Sequence, residues 1–480
     1  MGTWKHLWWV RVCAGVIACC GGASPVAAQV SHASAWAVWY QHLQNIPNVK
    51  EGSNQPEVQP SQPEQPIPTS PVPDNPTDAQ PEQQSPSAQL EVTIAPKPAL
   101  PDGYPDLEGV YERMLKAAET HPEICRYVDL TERLGTPATH EGRHLFAVKI
   151  SDNPSVSENE PAVLIVANHH ARELPAVMSA LEAIDQLTSF YNADPSITNI
   201  VNNHEIWIAP MWNPDGYHYA CTEDRMWRKN RRDNGDGTFG VDLNRNYPFG
   251  WGEACAGSNR AKSETYVGPS AASEPETQTM LAFAEAECFA KVADLHAFAG
   301  EVRFGYGCWA FPLKDFYQRE AIRLSENSGM EGRHRTSCCL AGNIHYHMSH
   351  NGSYAALWEI GRSFNPPFPE AVGNAKSVFP GLLTMLHRPI SISGRVYDAV
   401  TLNPINATIA LPNAGYEHGE TARSGGQYGR YHMVLPPGEH VLDFAAEGYE
   451  SASIAISVTE TSSQIYDMVL LPVTQSAGQQ

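Results

Sequence analysis

The stretch PAVLIVANHHARE, residues 161–173, joins a short apolar run to a group of polar side chains. Residues 161–167 are continuously apolar, which is typical of a strand buried on both faces of a sheet. The polar residues 168–173 follow directly and precede a helix-like stretch at 174–191. The pattern therefore predicts a buried strand that leads through a polar loop into a helix.

Two residues of this loop, His170 and Glu173, lie three positions apart. Across a helical turn or a tight loop, that spacing aims an imidazole and a carboxylate at one point. The pair alone is weak evidence, because it occurs by chance and usually belongs to a solvated helix face. His296 adds a third donor at the end of the apolar run VADLHAF, residues 292–298. Two histidines and one glutamate are a catalytic zinc set that leaves one coordination position open for water.

Helix-like and strand-like stretches alternate from residue 104 onward. Residues 107–120 and 274–289 have helical periodicity, and residues 206–210 form a second apolar strand-like run. This alternation predicts an α/β fold with a mixed central β-sheet flanked by helices. After Pro389, short strands separated by turn residues predict a small all-β sandwich.

Composition limits both the partners and the folded part of the chain. The 480 residues carry a formal net charge of −21, whereas a nucleic-acid binder needs a clustered face of Lys and Arg. Nucleic acid is therefore not predicted as a partner. Residues 51–90 contain ten Pro and eight Gln but no Lys or Arg, so we expect residues 29–103 to be a disordered Pro/Gln-rich linker.

The N-terminal residues 1–28 have the pattern of an export signal, with basic residues, the apolar run 12–20 and small residues before Gln29. The run is shorter than the roughly 20 residues of a membrane span, so no transmembrane helix is predicted. The segment VIAC is similar to a bacterial lipobox, which keeps a lipid anchor at Cys19 or another cell-envelope association open. We expect a secreted or extracytoplasmic protein, either periplasmic or extracellular.

Seven cysteines follow the signal region, an odd number. In an oxidising compartment they permit three disulfides and one free thiol, with the pairing undetermined. No CxxC spacing occurs, so a cysteine-bound zinc site is not predicted. The seven are Cys125, Cys221, Cys255, Cys288, Cys308, Cys338 and Cys339.

Six segments accompany the zinc set in a fixed order: HARE (170–173), NPDGY (213–217), MWRKNRR (226–232), GVDLNRNYP (240–248), SETYVGPSAASEPET (263–277) and LHAF (295–298). In order and spacing they resemble the zinc carboxypeptidases, the family of carboxypeptidase A and carboxypeptidase T. The resemblance covers residues 104–388 and implies a catalytic domain that uses one Zn²⁺ per chain to hydrolyse the C-terminal peptide bond of peptides and proteins.

The resemblance also assigns roles at the metal. It implies His170, Glu173 and His296 as the zinc ligands and Glu359 as the general base that takes a proton from the attacking water. An acidic side chain next to the apolar residues 355–358 is costly to bury without a purpose, which independently favours a functional Glu359.

A cation is expected opposite the scissile carbonyl, where charge develops during the reaction. The resemblance implies Arg228 for this task, with Lys229 and Arg231 as alternatives. It also implies that Asp242 holds the second ring nitrogen of His170, as carboxylates behind a metal ligand do.

Substrate recognition is implied for a further group of residues. Asn244 and Arg245 would hold the free C-terminal carboxylate, for which the planar guanidinium is suited. Arg172 is implied as a further substrate-binding residue. Ile344 and Gly307 would border the pocket for the terminal side chain, which favours an apolar or aromatic residue there.

Three positions depart from the family pattern or complicate it. Ser337 stands where the family has a tyrosine that closes over the substrate, and Phe298 lacks a hydroxyl common at its position. Arg303 borders the same pocket, where a guanidinium would favour an acidic terminal residue instead. The missing tyrosine also motivates a different class of function, a catalytically inactive peptide-binding module.

Residues 389–472 resemble the transthyretin-like domain, also called carboxypeptidase regulatory-like, that follows the catalytic unit in many relatives. We expect it to have a packing or targeting role, and residues 473–480 to be a disordered tail. The linker and the lipobox-like segment would also suit an enzyme of the same fold that trims peptidoglycan stem peptides, as an amidase or carboxypeptidase.

Overall fold

The computed structural model describes residues 100–461 and 463–473. The predicted signal segment with Cys19, the linker up to residue 99 and the tail from residue 474 lie outside these residues. The description therefore begins just before the first predicted helix and ends at the last predicted strand.

A mixed eight-stranded sheet forms the centre of the first part of the protein. Its strands are β1 (Cys125–Asp129), β2 (Phe146–Ile150), β3 (Ala162–Ala167), β4 (Glu205–Ala209), β5 (Lys291–His296), β6 (Glu301–Phe304), β7 (His334–Thr336) and β8 (Tyr354–Glu359). Their order is β1-β2-β4-β3-β5-β8-β6-β7. The four central strands β4, β3, β5 and β8 are parallel, and antiparallel pairs flank them.

The burial of the central strands explains why the sequence pattern predicted them. Every residue of β3, β4, β5 and β8 is buried, so these strands appear as continuous apolar runs rather than as alternating patterns. Of the buried charged residues within them, Asp294 and Glu359 lie toward the carboxyl ends, whereas Glu205 and Lys291 begin their strands. The predicted α/β class with a mixed sheet is confirmed.

Nine α-helices and one short 3-10 helix surround this sheet in the described part of the chain. They are α1 (Leu107–Thr120), α2 (Leu130–Leu134), α3 (Leu174–Ser189), α4 (Pro195–Val201), α5 (Pro214–Thr222), the 3-10 helix Leu243–Arg245, α6 (Pro275–Glu287), α7 (Lys314–Asn327), α8 (Asn343–His350) and α9 (Phe368–His387). Helix α1 begins where the Asp106 side chain accepts a hydrogen bond from Gly109 N at 2.9 Å. None of these helices is long and apolar enough to cross a bilayer.

The C-terminal strands form two small sheets. Strands β9 (Ile392–Asp398), β12 (Arg430–Met433), β15 (Gln464–Ile465) and β16 (Met468–Leu470) make one, and β10 (Thr408–Ala410), β11 (Ala422–Arg423), β13 (Gly438–Ala445) and β14 (Ala452–Val458) make the other. Their inward side chains, including Val396, Leu442 and Phe444, share a second hydrophobic core. The likeness to transthyretin-like domains stays a prediction.

These C-terminal strands pack closely against the first part of the protein. Arg430 Nη1 donates to Glu158 O at 2.6 Å, and the Tyr428 hydroxyl donates to Ser157 O at 2.8 Å. On another loop, the His418 ring stacks on Trp309 with centroids 3.9 Å apart. The strands therefore brace loops of the larger sheet as well as forming a core of their own.

One disulfide, Cys255–Cys308, is present among the described residues. The sequence permitted three, but Cys125, Cys221 and Cys288 lie on separate elements and remain free. Cys338 and Cys339 are neighbours in the chain, with their Sγ atoms 3.0 Å apart and unbonded. Cysteine number alone did not reveal that most of these side chains fill the core or border a cavity.

Three buried histidines make stability depend on pH. Burial lowers the pKa of His345, His347 and His432 to about 3. Between pH 6.5 and about 3, the unfolded chain binds protons that the folded protein does not, so stability falls as the pH falls through this window. Each histidine costs about 2 kcal/mol at pH 5 by this linkage.

We expect His347→Leu to flatten this dependence. No hydrogen bond reaches either ring nitrogen of His347 among the described residues, so the substitution removes a titrating group without breaking one. Urea unfolding at pH 7.5 and pH 5 measures the effect. The variant should lose about 2 kcal/mol less than the original protein between these pH values, and equal losses would contradict the linkage.

Candidate metal centre and active site

The candidate ligands stand at the carboxyl ends of neighbouring parallel strands. Strand β3 ends at Ala167, and the loop that follows contains His170 and Glu173, while His296 is the last residue of β5. Strand β8 lies beside β5 in a register that pairs His296 with Glu359. Parallel pairing thus brings side chains more than 100 residues apart to one edge of the sheet.

The three predicted ligands converge on one point. His170 Nδ1 lies 2.8 Å from Glu173 Oε1, and His296 Nδ1 lies 2.9 Å from Glu173 Oε2. The two Nδ1 atoms are 3.0 Å apart. All three side chains are buried, with at most 4% of the residue surface exposed.

A buried carboxylate stands behind each of the two imidazoles. Asp242 Oδ1 lies 3.1 Å from His170 Nε2, and Asp294 Oδ1 lies 3.1 Å from His296 Nε2. Burial raises the pKa of Asp242, but Arg228 and Arg245 hold it well below its usual value. Each ring can thus direct its Nδ1 lone pair toward the shared point while its Nε2 faces a negative charge.

This donor set fits a zinc ion. Ligand nitrogens about 2.0 Å from one tetrahedral zinc lie roughly 3.3 Å apart, close to the 3.0 Å between the two Nδ1 atoms. The Glu173 carboxylate lies within 2.9 Å of both nitrogens, so the three side chains offer one negative and two neutral donors to a single cation. His170, Glu173 and His296 would hold the zinc, and three protein ligands leave a position open.

Glu359 lies at the edge of this centre and contacts a guanidinium. Its Oε1 is 2.9 Å from Arg303 Nη1. Burial, together with the nearby Glu173 carboxylate, raises the pKa of Glu359 to about 7, although Arg303 opposes the rise. A carboxyl group with such a pKa can both accept and release a proton near neutral pH.

Of the three cations considered for the scissile carbonyl, only Arg228 reaches the metal centre. Its Nη2 donates to Asp242 Oδ2 at 2.8 Å, and its Nη1 lies 3.6 Å from Glu173 Oε1. Lys229 Nζ instead donates to Ala261 O, and the Arg231 guanidinium lies over the Tyr219 ring.

Asn244 and Arg245 lie in and beside the 3-10 helix that follows Asp242. Asn244 is fixed from two sides, since its Oδ1 accepts from Asn343 N at 2.7 Å and its Nδ2 lies 3.0 Å from His296 Nε2. Arg245 Nη1 donates to Asn244 O, and its buried Nε has no partner within the described residues. No described acidic side chain forms an ion pair with Arg245, which leaves its guanidinium able to take a carboxylate.

A cavity of about 190 Å³ joins most of the predicted site residues. Its lining includes all three candidate ligands and a set of predicted residues around them: Arg228, Asn244, Arg245, Phe298, Arg303, Ser337, Ile344 and Glu359. Arg172 and Gly307 are outside this lining. Arg172 pairs with Glu264 at 3.1 Å and lies over the Phe364 ring, and a side chain at Gly307 would meet Ser337 O at 3.1 Å.

Comparison with known proteins agrees with this geometry. A sequence profile described as zinc carboxypeptidase matches residues 110–363, more than half of the chain. The chain belongs to the zinc carboxypeptidase family. Zinc is accordingly the metal that the donor set is built for.

The alignments with individual relatives extend over only part of this chain. A zinc carboxypeptidase of Saccharothrix mutabilis subsp. capreolus is 41% identical over 162 residues, 33% of this chain and 35% of the relative. Carboxypeptidase A2 of Rattus norvegicus is 30% identical over 238 residues, 49% of this chain and 54% of the relative. The chain thus spans about a third to a half of the length of these relatives.

The fold is shared more widely than the sequence. The crystal structure of carboxypeptidase A from Helicoverpa armigera matches with a TM-score of 0.52 and 22% identity, covering 58% of this chain and 72% of that chain. At this identity the likeness concerns the fold alone, and it agrees with the mixed sheet and flanking helices described above.

Two departures from the zinc carboxypeptidase pattern lie in the cavity wall. Ser337 is held in place by its backbone, which donates to Phe304 O and accepts from Gly307 N. Phe298 packs edge-on against Phe364 with centroids 4.8 Å apart. Next to Ser337, a hydrogen bond with Cys339, helped by Arg245 and Arg303, lowers the pKa of the Cys338 thiol to about 5.

Sequence reasoning missed Asp294 and His169. Asp294 Oδ1 lies 3.1 Å from both His169 Nδ1 and His296 Nε2, and all three residues are buried. The signal was present, because residues two apart on a strand share a face and Asp294 precedes His296 by two. An acid inside the apolar run VADLH should have been read as a partner of the histidine.

We expect Asp294→Asn to weaken zinc binding roughly 10- to 100-fold, as for other carboxylates behind a metal ligand. The substitution removes the negative charge that favours a metal-binding His296. A chelator competition assay measures the zinc dissociation constant, with the exposed Asp185→Asn as control, since Asp185 pairs only with Arg113 at the surface. Equal zinc affinity in the two variants would contradict the role of Asp294.

Proposed function

We propose that the protein is a zinc-dependent metallocarboxypeptidase that removes the C-terminal residue from peptides or proteins. One observation carries this proposal. A three-donor metal centre, a carboxyl group with a raised pKa and an arginine without an ion pair among the described residues all line a single cavity. This combination suits hydrolysis next to a free carboxylate.

The zinc ion, when bound, would polarise the scissile carbonyl and acidify a water molecule. Glu359 would act as the general base, because its pKa of about 7 suits proton transfer near neutral pH. The same carboxyl would then return the proton to the departing amine. Its contact with Arg303 keeps the carboxylate oriented at the end of β8.

The arginines divide the remaining tasks. Arg228 would stabilise the charge that develops on the carbonyl oxygen, from a position fixed by Asp242. Arg245 would bind the C-terminal carboxylate of the substrate, with Asn244 beside it. A substrate lacking a free carboxylate would leave the buried Nε of Arg245 without a partner, which favours exopeptidase action.

The alternatives have less support. The serine at position 337, where the family has a tyrosine, was the reason to consider a catalytically inactive peptide-binding module. The residue types needed for catalysis nevertheless occur together in the cavity. The hypothesis that the protein trims peptidoglycan stem peptides was based on segments outside the described residues. The relatives reported above are named carboxypeptidases. Neither alternative is therefore preferred.

We also propose export of the chain from the cytoplasm. The signal-like residues 1–28 support it, as does the Cys255–Cys308 disulfide, since disulfides persist in oxidising compartments. Expression in a bacterium followed by fractionation and intact-mass measurement should give a protein beginning at Gln29, or at a lipid-modified Cys19. An unprocessed cytoplasmic chain would contradict export.

Replacing the proposed base tests the mechanism. We expect Glu359→Gln to lower kcat on N-blocked dipeptides by at least a factor of about 10², because a general base is lost. The variant should still bind one zinc ion, since Glu359 is not among the converging ligands. Glu326→Gln, an exposed acid on α7, is the matched control and should retain activity.

Zinc content and turnover together decide the outcome. A zinc-loaded Glu359→Gln variant with undiminished turnover would reassign the base. A purified wild-type protein that stays far below one zinc per chain after dialysis against zinc would remove the basis of the proposal.

A further inference from the structure

The cavity next to the metal centre contains a third guanidinium, Arg303, to which the proposed reaction assigns no contact with the substrate. Arg228 faces the metal ligands and Arg245 is reserved for the substrate carboxylate. Arg303 projects from β6, whose register pairs it with Leu357 on β8 and with Arg335 on β7. Of these three, Arg303 and Leu357 line the cavity.

The bonds of Arg303 leave part of its guanidinium available. Its Nε donates to Glu301 Oε1 at 2.8 Å, and its Nη1 lies 2.9 Å from Glu359 Oε1. No hydrogen bond to its Nη2 is present among the described residues. The side chain keeps 21% of its surface exposed, so a substrate in the cavity can reach it.

One of its two partners is engaged elsewhere during the reaction. Glu359 is the proposed base, and it loses its negative charge whenever it accepts a proton. Glu301 also pairs with Arg335, whose Nη2 donates to Glu301 Oε2 at 3.0 Å. Each carboxylate that contacts Arg303 therefore has a second partner or role of its own.

Apolar residues accompany Arg303 in the cavity wall. Ile344 and Leu357 are buried apolar residues of the same cavity wall and can contact the methylene groups of a side chain. An apolar terminal side chain would desolvate the guanidinium without offering it an acceptor, which costs free energy. A carboxylate would instead form a charge-assisted pair with it.

We propose that Arg303 selects substrates whose C-terminal residue is Glu or Asp. This inference rests on the proposed carboxypeptidase function and adds the substrate class. The terminal side-chain carboxylate pairs with Arg303, while the main-chain carboxylate pairs with Arg245. Arg303 is therefore a specificity residue, and the apolar preference suggested by Ile344 and Gly307 is replaced by an acidic one.

A panel of N-blocked dipeptides that differ only in the last residue tests the proposal. Glu and Gln have the same shape and differ in charge, and Phe and Lys represent the competing specificities. For the zinc-loaded wild-type enzyme we expect kcat/KM for the Glu substrate to exceed that for Gln by about tenfold or more, because a charged partner for a buried guanidinium is strongly discriminated.

Two arginine variants distinguish recognition from general damage. In Arg303→Gln the Glu-to-Gln ratio of kcat/KM should fall to about one, whatever happens to the absolute rates through the contact with Glu359. Arg335→Gln is the matched control, because Arg335 shares Glu301 but is 60% exposed and outside the cavity lining. Its ratio should stay at the wild-type value.

The outcomes separate the two levels of the proposal. A wild-type enzyme that hydrolyses the Phe substrate faster than the Glu substrate would overturn the acidic specificity while leaving the carboxypeptidase function intact. A ratio unchanged in Arg303→Gln would likewise overturn the role of Arg303. Absence of turnover on every dipeptide, with zinc bound, would overturn the carboxypeptidase proposal and this inference with it.

Discussion

Everything in the site depends on the approach of two imidazole nitrogens to within 3.0 Å inside a buried environment. Such an approach is favourable only when a proton or a metal ion lies between the two nitrogens, because two facing lone pairs repel each other. Glu173 supplies a compensating negative charge, and Asp242 and Asp294 hold the outer nitrogens. The centre is thus assembled for a cation, and its carboxylates would be costly to bury without one.

Arginine side chains neutralise the acidic residues around the metal centre. Arg228 neutralises Asp242, and Arg303 is shared between Glu301 and Glu359. Arg245 differs from the other two cavity guanidiniums in that it forms no ion pair with a described carboxylate, although its charge lowers the pKa of nearby Asp242. The division of a few positive charges among buried acids therefore leaves one guanidinium open to a ligand and, through Arg303, limits the rise in the pKa of Glu359.

Parallel strand pairing is what makes this distribution possible. Strands β3, β5 and β8 end at one edge of the sheet, so the loop after β3 and the last residues of β5 and β8 share a space. Because these strands are buried throughout, their ends are held rigidly, which positions the side chains for catalysis. The C-terminal strands add support at a distance, through the stacking of His418 on Trp309.

The sequence by itself predicted the fold class and the buried strands, because continuous apolar runs are local patterns, and it predicted the zinc set, because six ordered segments resemble one family. It also contained the acid at Asp294, which a closer look at strand periodicity would have found. Only the tertiary structure decided that Arg228 rather than Lys229 or Arg231 lies beside the candidate ligand Glu173. It also decided that Arg172 and Gly307 lie outside the cavity lining and that Arg303 contacts Glu359. These outcomes depend on side chains distant in sequence competing for the same buried charges, and that competition exists only after the strands have paired.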